Sequence, residues 1–179
     1  DQGLVVRSRP GSDDFNAIDP NLVVEDDNNI WLCWGSFWGG IKMRRVDPAS
    51  GKLSATDTNL YSLASRPRLA PHKTPPVEGA VEAPTIIRHD AYWYLFASYD
   101  FCCRGADSTY AVKVGRATKV TGPYTDRDGK LLTQDGGTTL VPAATARWHG
   151  AGHQAVLHDA GIDYLVFHAY DPTNGRWLN

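Results

Sequence analysis

Glu82-Ala83-Pro84-Thr85-Ile86-Ile87, followed by a turn and by Tyr94-Leu95-Phe96-Ala97-Ser98-Tyr99, sets a polar residue just ahead of two short apolar strands, the second ending in aromatics. The same order stands upstream, where Asp19-Pro20-Asn21-Leu22-Val23-Val24 runs into Trp31-Leu32-Cys33-Trp34-Gly35-Ser36-Phe37. It stands again downstream, where His153-Gln154-Ala155-Val156-Leu157 runs into Tyr164-Leu165-Val166-Phe167-His168-Ala169-Tyr170. Asp19 and Glu82 are 63 residues apart and Glu82 and His153 are 71 apart, an interval that fits one four-stranded unit. Such a repeat is the pattern of a β-propeller, whose blades radiate from one axis. Residues in one slot of successive blades then converge, so Asp19, Glu82 and His153 are expected to meet at a central site.

The rest of the chain reads the same way. Leu4-Val5-Val6, Ile41-Lys42-Met43-Arg44-Arg45-Val46 and Tyr110-Ala111-Val112-Lys113-Val114-Gly115 are further short runs of β-formers, punctuated by Asp-Pro, Asp-Asn-Asn and Asp-Gly-Gly turns. No long segment shows a helical period, so the expected fold class is all-β. Each unit reads as inner, middle and third strands plus a looser outer strand, placed at Leu53 to Ala55 and at Gly122 to Tyr124. Residues 66 to 81, with Pro67, Pro71, Pro75 and Pro76, read as an extended connection between the first two units. The segment Gly3 to Pro10 reads as the tail of a preceding blade. Two units and the first half of a third are expected over residues 1–179, a partial propeller domain of about three blades, where closure takes at least four. Its terminal blade edges are expected to be open to self-association.

With 18 Lys and Arg against 20 Asp and Glu, the net charge is −2 and no basic stripe marks a nucleic-acid partner. No apolar run reaches the roughly 18 residues of a membrane span, and no leader-like pattern opens the chain. The 6 Trp and 8 Tyr either pack between blades or stack on sugar faces. Of the 3 cysteines, Cys102 and Cys103 would point to opposite faces of an extended strand and are not expected to bridge each other. Cys33 and one of that pair read as small buried hydrophobes, with a disulfide left open.

Two carboxyls at the mouth of an aromatic-lined funnel suit glycosidic bond cleavage, in which one carboxyl must hold a proton to give to the leaving oxygen. The apolar surroundings of Glu82 raise its pKa by desolvation and make it the expected proton donor, while Asp19 stays ionised and tunes it. Taken singly, Asp19 also reads as a turn residue before proline, Glu82 as a surface acid and His153 as an interior histidine.

Phe15-Asn16-Ala17-Ile18-Asp19-Pro20-Asn21, Gly35-Ser36-Phe37-Trp38-Gly39-Gly40-Ile41, Val81-Glu82-Ala83-Pro84, Phe101-Cys102-Cys103-Arg104-Gly105 with Asp107-Ser108-Thr109-Tyr110, Val114-Gly115-Arg116 and Gly150-Ala151-Gly152-His153 together resemble the endo-1,5-α-L-arabinanases of glycoside hydrolase family 43. The resemblance implies a five-bladed β-propeller that cleaves internal bonds of α-1,5-linked arabinan with inversion, in a secreted protein. It implies Glu82 as general acid and Asp19 as the residue that modulates it. Asn16, Ala17, Ile18 and Asp19, together with Ser36, Phe37 and Trp38, are implied to line arabinose subsites. His153 is implied to hold a metal on the propeller axis, with calcium and waters as the expected cofactor. The family's general base is an aspartate in a His-Asp-Pro setting on the first blade, and no His-Asp-Pro occurs here; His89-Asp90 is followed by Ala91. An exo-acting α-L-arabinofuranosidase or β-xylosidase of the same fold, and a non-catalytic sugar-binding fragment, are the alternatives.

Overall fold

The computed structural model describes residues 3–67, 79–173 and 176–178. Its strands form three antiparallel sheets that follow one another along the chain. The first holds β1 (Asn21–Asp26), β2 (Asn29–Trp34), β3 (Ile41–Asp47) and β4 (Lys52–Leu53) in that order, with β5 (Tyr61–Ala64) also on β3. The second holds β6 (Val81–His89), β7 (Tyr92–Tyr99), β8 (Ala111–Ala117) and β9 (Thr138–Val141), and the third β10 (His149–Asp159), β11 (Ile162–Asp171) and β12 (Arg176–Leu178). Two single 3-10 turns, Gly105–Asp107 and Leu132–Gln134, are the helical elements among the described residues.

Local chemistry explains the hairpins. Asp26 Oδ1 accepts the N–H groups of Asn28 and Asn29, both at 2.9 Å, so the first turn is closed by a side chain standing in for a backbone carbonyl. Asp126 does the same for Asp128 and Lys130 at 3.0 and 2.9 Å. Alternate residues of β2 and β7 point inward. Trp31, Cys33, Trp93, Leu95 and Ala97 join Ile41, Met43, Leu63, Val81, Ile86 and Tyr99 in one core between the first and second sheets. Each large side chain buried there contributes about 1.5–3 kcal/mol.

Several local expectations are corrected. Leu4 to Val6 is irregular, with Leu4 exposed and its carbonyl taken by Lys52 Nζ at 3.0 Å instead of a ladder N–H. The outer strand of the second sheet is β9, not Gly122 to Tyr124. Pro123 has no N–H to give a ladder, and the Gly122-Pro123 turn only delivers Thr125 to a single bridge with Arg116. In the first sheet the outer position is shared by β4 and the unforeseen β5, which pair with opposite ends of β3. Cys102 and Cys103 are bonded to each other. They lie in a loop and not in an extended strand, with Cys103 at φ 70°, so the opposite-face argument does not hold there. Neither is buried, whereas Cys33 is, and burial pushes its thiol up to about 12. Most of the expected 66–81 connection, Pro71, Pro75 and Pro76 included, lies outside the described residues.

Arg66, just past β5, ties the first sheet to the second. Its Nε donates to Asp135 at 2.8 Å, its Nη1 to Asp100 and to the Ala80 carbonyl, and its guanidinium lies 5.6 Å from the Tyr99 ring centroid. The Arg66 side chain is 22% exposed, so its removal leaves two carboxylates partly desolvated and unpaired. Arg66→Ala is expected to lower stability by about 2 kcal/mol, read from the urea midpoint, and Arg66→Lys to recover only part because it keeps the charge and loses the fork.

Candidate active site

The three inner strands share one irregularity, and it decides the site. In the second sheet Glu82 pairs with Ser98 and Thr85 with Phe96, so β6 carries one extra residue, a bulge. The third sheet repeats it, Gly152 facing His168 and Ala155 facing Val166. In the first sheet the Ile18 carbonyl accepts Gly35 N–H at 3.0 Å while Asn21 faces Cys33, again one residue too many. Inside each bulge one non-glycine residue is left-handed: Asp19 at φ 55°, Ala83 at 50° and His153 at 49°. The equivalent slots are therefore Asp19, Ala83 and His153, and Glu82 stands one residue ahead of the slot that its sequence interval suggested. Because successive side chains of a strand face opposite ways, that single step re-aims the carboxyl.

The bulge takes the N–H and C=O of buried Ala83 out of the ladder. Asp19 Oδ2 accepts the N–H at 3.1 Å, and Gln154 Nε2 donates to the carbonyl at 2.6 Å. Gln154, itself buried, accepts from Ser98 Oγ at 2.8 Å, and the same Ser98 oxygen accepts His153 N–H at 2.8 Å. Two further bonds fix the strands: Asn21 Oδ1 accepts Ile86 N–H at 3.0 Å, and Thr85 Oγ1 donates to the Gln154 carbonyl at 2.8 Å.

Glu82 is gripped at both oxygens. Ser36 Oγ donates to Oε2 and the Tyr110 hydroxyl to Oε1, each at 2.7 Å. Ser36 is placed by a backbone bridge to Glu82 and by Phe37 N–H donating to Val81 O at 3.0 Å. Tyr110 is placed by Gly152, where a Cβ would come within 2.1 Å of the phenol ring. Burial first, and then the charge of Glu82, push the Tyr110 hydroxyl up, so it stays a donor. Its ring stacks on His168 (centroids 5.9 Å, planes 20° apart), and His168 stacks on His153 (6.3 Å, 23°). Burial and the neighbouring His153 push the His168 imidazole down, against a smaller pull from Glu82.

Asp19 lies within electrostatic reach of Glu82 and His153. Burial pushes its carboxyl above the ordinary aspartate range and the nearby Glu82 adds to that, while His153 and the Ala83 N–H pull the other way. The bulge draws the Asp19 carboxyl inward onto the Ala83 peptide.

The remaining candidates divide. Asn16, Ala17 and Ile18 lead into Asp19, with Ala17 N–H held by Ser8 Oγ at 3.0 Å and Ile18 exposed. Phe37 and Trp38 are both left-handed, at φ 56° and 42°, in a tight turn. Phe37 meets Phe101, ring centroids 6.0 Å apart. Trp38 borders a polar cavity of about 410 Å³ with Asp14, Lys42, Ser62, Ser65 and Arg66, and is not among the side chains that hold Glu82. Sequence reasoning did not single out Tyr110, Ser98, Gln154 or His168. For Ser98, Gln154 and His168 the legible signal was a polar residue inside an otherwise apolar inner or middle strand, which a buried partner has to explain, whereas Tyr110 lies in the loop ahead of β8.

His153 was the expected calcium ligand. Among the described residues no three His, Cys, Asp or Glu side chains converge as a metal cluster, and Gln154 Oε1 is already bonded to Ser98. His153 would supply one imidazole to such an ion and water most of the roughly six to eight oxygens it takes, and no chemical step is routed through calcium.

Residues 4–179 match the model of glycosyl hydrolases family 43. Over 171 residues the chain is 42% identical to the extracellular endo-α-(1→5)-L-arabinanase 1 of Bacillus subtilis, covering 96% of this chain and 48% of that protein. It is 41% identical to the extracellular exo-α-(1→5)-L-arabinofuranosidase of Cellvibrio japonicus, covering 96% and 49%. The chain thus spans about half the length of the curated relatives it matches. Among solved structures it superposes on a Cellvibrio cellulosa α-L-arabinanase with a TM-score of 0.90 at 38% identity, covering 98% of this chain and 55% of that one. A Bacillus licheniformis endo-arabinanase gives 0.83 at 48%, with coverage of 98% and 55%. The three sheets are successive blades of the five-bladed β-propeller of these enzymes. With the sequence pattern matched almost from end to end and the fold of solved arabinanases reproduced, the chain belongs to glycosyl hydrolases family 43.

Proposed function

We propose that this chain carries the acid side of an inverting glycosidase that cleaves internal α-1,5-L-arabinofuranosidic bonds of arabinan, with Glu82 as the proton donor. The observation that carries the reading is the grip of Ser36 and Tyr110 on both oxygens of Glu82, with the Asp19 carboxyl docked on the next peptide. Glu82 gives its proton to the glycosidic oxygen as the bond to the sugar carbon breaks. The two hydroxyls then hold the carboxylate that remains. A water activated by a carboxylate on the opposite face completes inversion, with the two carboxyls of an inverting pair about 6.5–9.5 Å apart. The His-Asp-Pro setting of that base does not occur in this sequence, so we assign the base to a residue outside it. Asn16, Ala17, Ile18 and Phe37 supply groove wall beside the acid.

Arabinan as substrate is supported by the activities for which the relatives are named and by an arabinohexaose complex of the Cellvibrio cellulosa arabinanase. Both curated relatives named above are extracellular, which supports secretion. An exo-acting arabinofuranosidase is the second reading, favoured by the near-equal identity to the Cellvibrio japonicus enzyme.

In a protein that carries this segment and turns over linear α-1,5-arabinan, Glu82→Gln is expected to lower kcat by about 10²–10⁴-fold while arabino-oligosaccharide binding persists. A near-normal rate would sink the assignment. Tyr110→Phe removes one charged hydrogen bond and is expected to cost about tenfold or more in kcat. Gly152→Ala should act in the same direction by displacing the Tyr110 ring, and an unchanged rate in both would remove Tyr110 from the site. For Asp19, a carboxyl raised in the fold favours folding fully below its unfolded value of 3.8, and that contribution is lost as pH rises through the raised value. Asp19→Asn has no such loss. The Tm of the variant minus that of the native protein should therefore grow between about pH 3 and about pH 7, and a flat difference would contradict the burial argument.

A further inference from the structure

The loop of residues 100–110 joins β7 to β8, and the chemistry above uses only its last residue. Both of its ends are fastened beside the acid: Asp100 N–H donates to the Ala80 carbonyl at 3.1 Å, and Tyr110 reaches Glu82. Between them the loop runs to the third sheet, where His149 Nδ1 meets the Ala106 carbonyl at 2.9 Å and Ser108 packs against Gly150. It is pinned internally as well. Thr109 Oγ1 accepts Phe101 N–H at 3.2 Å, Phe101 O accepts Thr109 N–H at 3.0 Å, and Ser108 Oγ accepts Arg104 N–H at 3.0 Å.

What this fixed loop presents is unusual for a rim. The Cys102–Cys103 bond ties neighbouring residues, replacing two thiols with a compact polarizable surface, and Cys103 is exposed. Next to it the half-buried Phe101 ring leans on Phe37, the residue that follows Ser36, so the apolar strip begins one residue from a group that holds Glu82. The exposed Arg104 lays its guanidinium 4.5 Å from the Phe101 ring centroid, setting hydrogen-bond donors at the edge of that strip. A C–H face against aromatic and sulfur surface with hydroxyls turned to a guanidinium is the chemistry of sugar recognition.

We propose that Phe101, the Cys102–Cys103 disulfide and Arg104 form a subsite for an arabinofuranosyl unit away from the bond being cleaved. This rests on the arabinan reading of the Glu82 site. The rigid disulfide holds Phe101 in place against Phe37, and Arg104 selects a hydroxylated ligand over a plain apolar one. Longer oligosaccharides gain from the loop and short ones do not.

The test is calorimetric titration of the Glu82→Gln protein with linear α-1,5-arabinotriose and α-1,5-arabinohexaose. Adding Phe101→Ala is expected to weaken hexaose binding about tenfold, the scale of one lost stacking contact, with triose changed less than about twofold. Cys102→Ser with Cys103→Ser should weaken hexaose about threefold, and Arg104→Ala, which removes an exposed side chain and leaves the disulfide, should do the same. Equal losses for triose and hexaose would overturn the subsite and make the loop a mere support for Tyr110. Unchanged affinities in all three variants would overturn it outright. A parent protein that binds neither oligosaccharide would fell the arabinan reading itself, and the subsite with it.

Discussion

A buried peptide that its own sheet cannot satisfy organises this site. Ala83 is left-handed and only 4% exposed, so its N–H and C=O leave the strand ladder where water cannot replace the lost partners. Each such group left unpaired costs about 1–3 kcal/mol. The two partners come from different sheets, Asp19 from the first and Gln154 from the third, and Gln154 is itself completed by Ser98 of the second. A local irregularity in β6 thereby becomes a cross-link among three blades. Ser98 and Gln154 are buried, Asp19 is half-buried and all are hydrogen-bonded, the condition under which such a network specifies one arrangement.

The same irregularity governs the electrostatics. The step between Glu82 and Ala83 sends the Glu82 carboxyl to two hydroxyl donors and leaves Asp19 to bind the peptide behind it. Two acids that in register would compete for one space are given separate partners, and repulsion between them survives as only a minor contributor to the raised Asp19 pKa. Behind Tyr110 the imidazoles of His168 and His153 stack in turn, and the lowered pKa of His168 favours a neutral ring beside the phenol.

The order of elements was legible because it depends on composition: alternating apolar residues made β1, β2, β3, β6, β7, β8, β10 and β11 recognisable. Their interval named the propeller, and the run of motifs named the family. What the sequence hid was a one-residue offset. Spacing alone aligned Asp19 with Glu82, whereas the X-Pro dipeptides Asp19-Pro20 and Ala83-Pro84 mark the true equivalence, with His153-Gln154 as the copy in which an amide replaces proline. Bulges leave little trace in composition because they cost one residue and break no pattern beyond their own position. The outer strands were harder for another reason. Short edge segments such as β4, β5 and β9 are fixed by what they dock against, and β4 is only two residues long. The Cys102–Cys103 bond was missed because the argument assumed a strand where the chain makes a loop.

Inversion asks different things of its two carboxyls, and the distribution of structure follows that difference. The base acts through a water across the width of a sugar ring, so the requirement on it is distance. The acid must touch the leaving oxygen, so the requirement on it is orientation, and small displacements are costly. Here the orientation of Glu82 is set by Ser36 from the segment after β2, by Tyr110 just ahead of β8, and by a backbone bulge whose polar groups are held from both neighbouring sheets. On the proposed reading of Glu82, the acid is therefore a property of three adjacent blades.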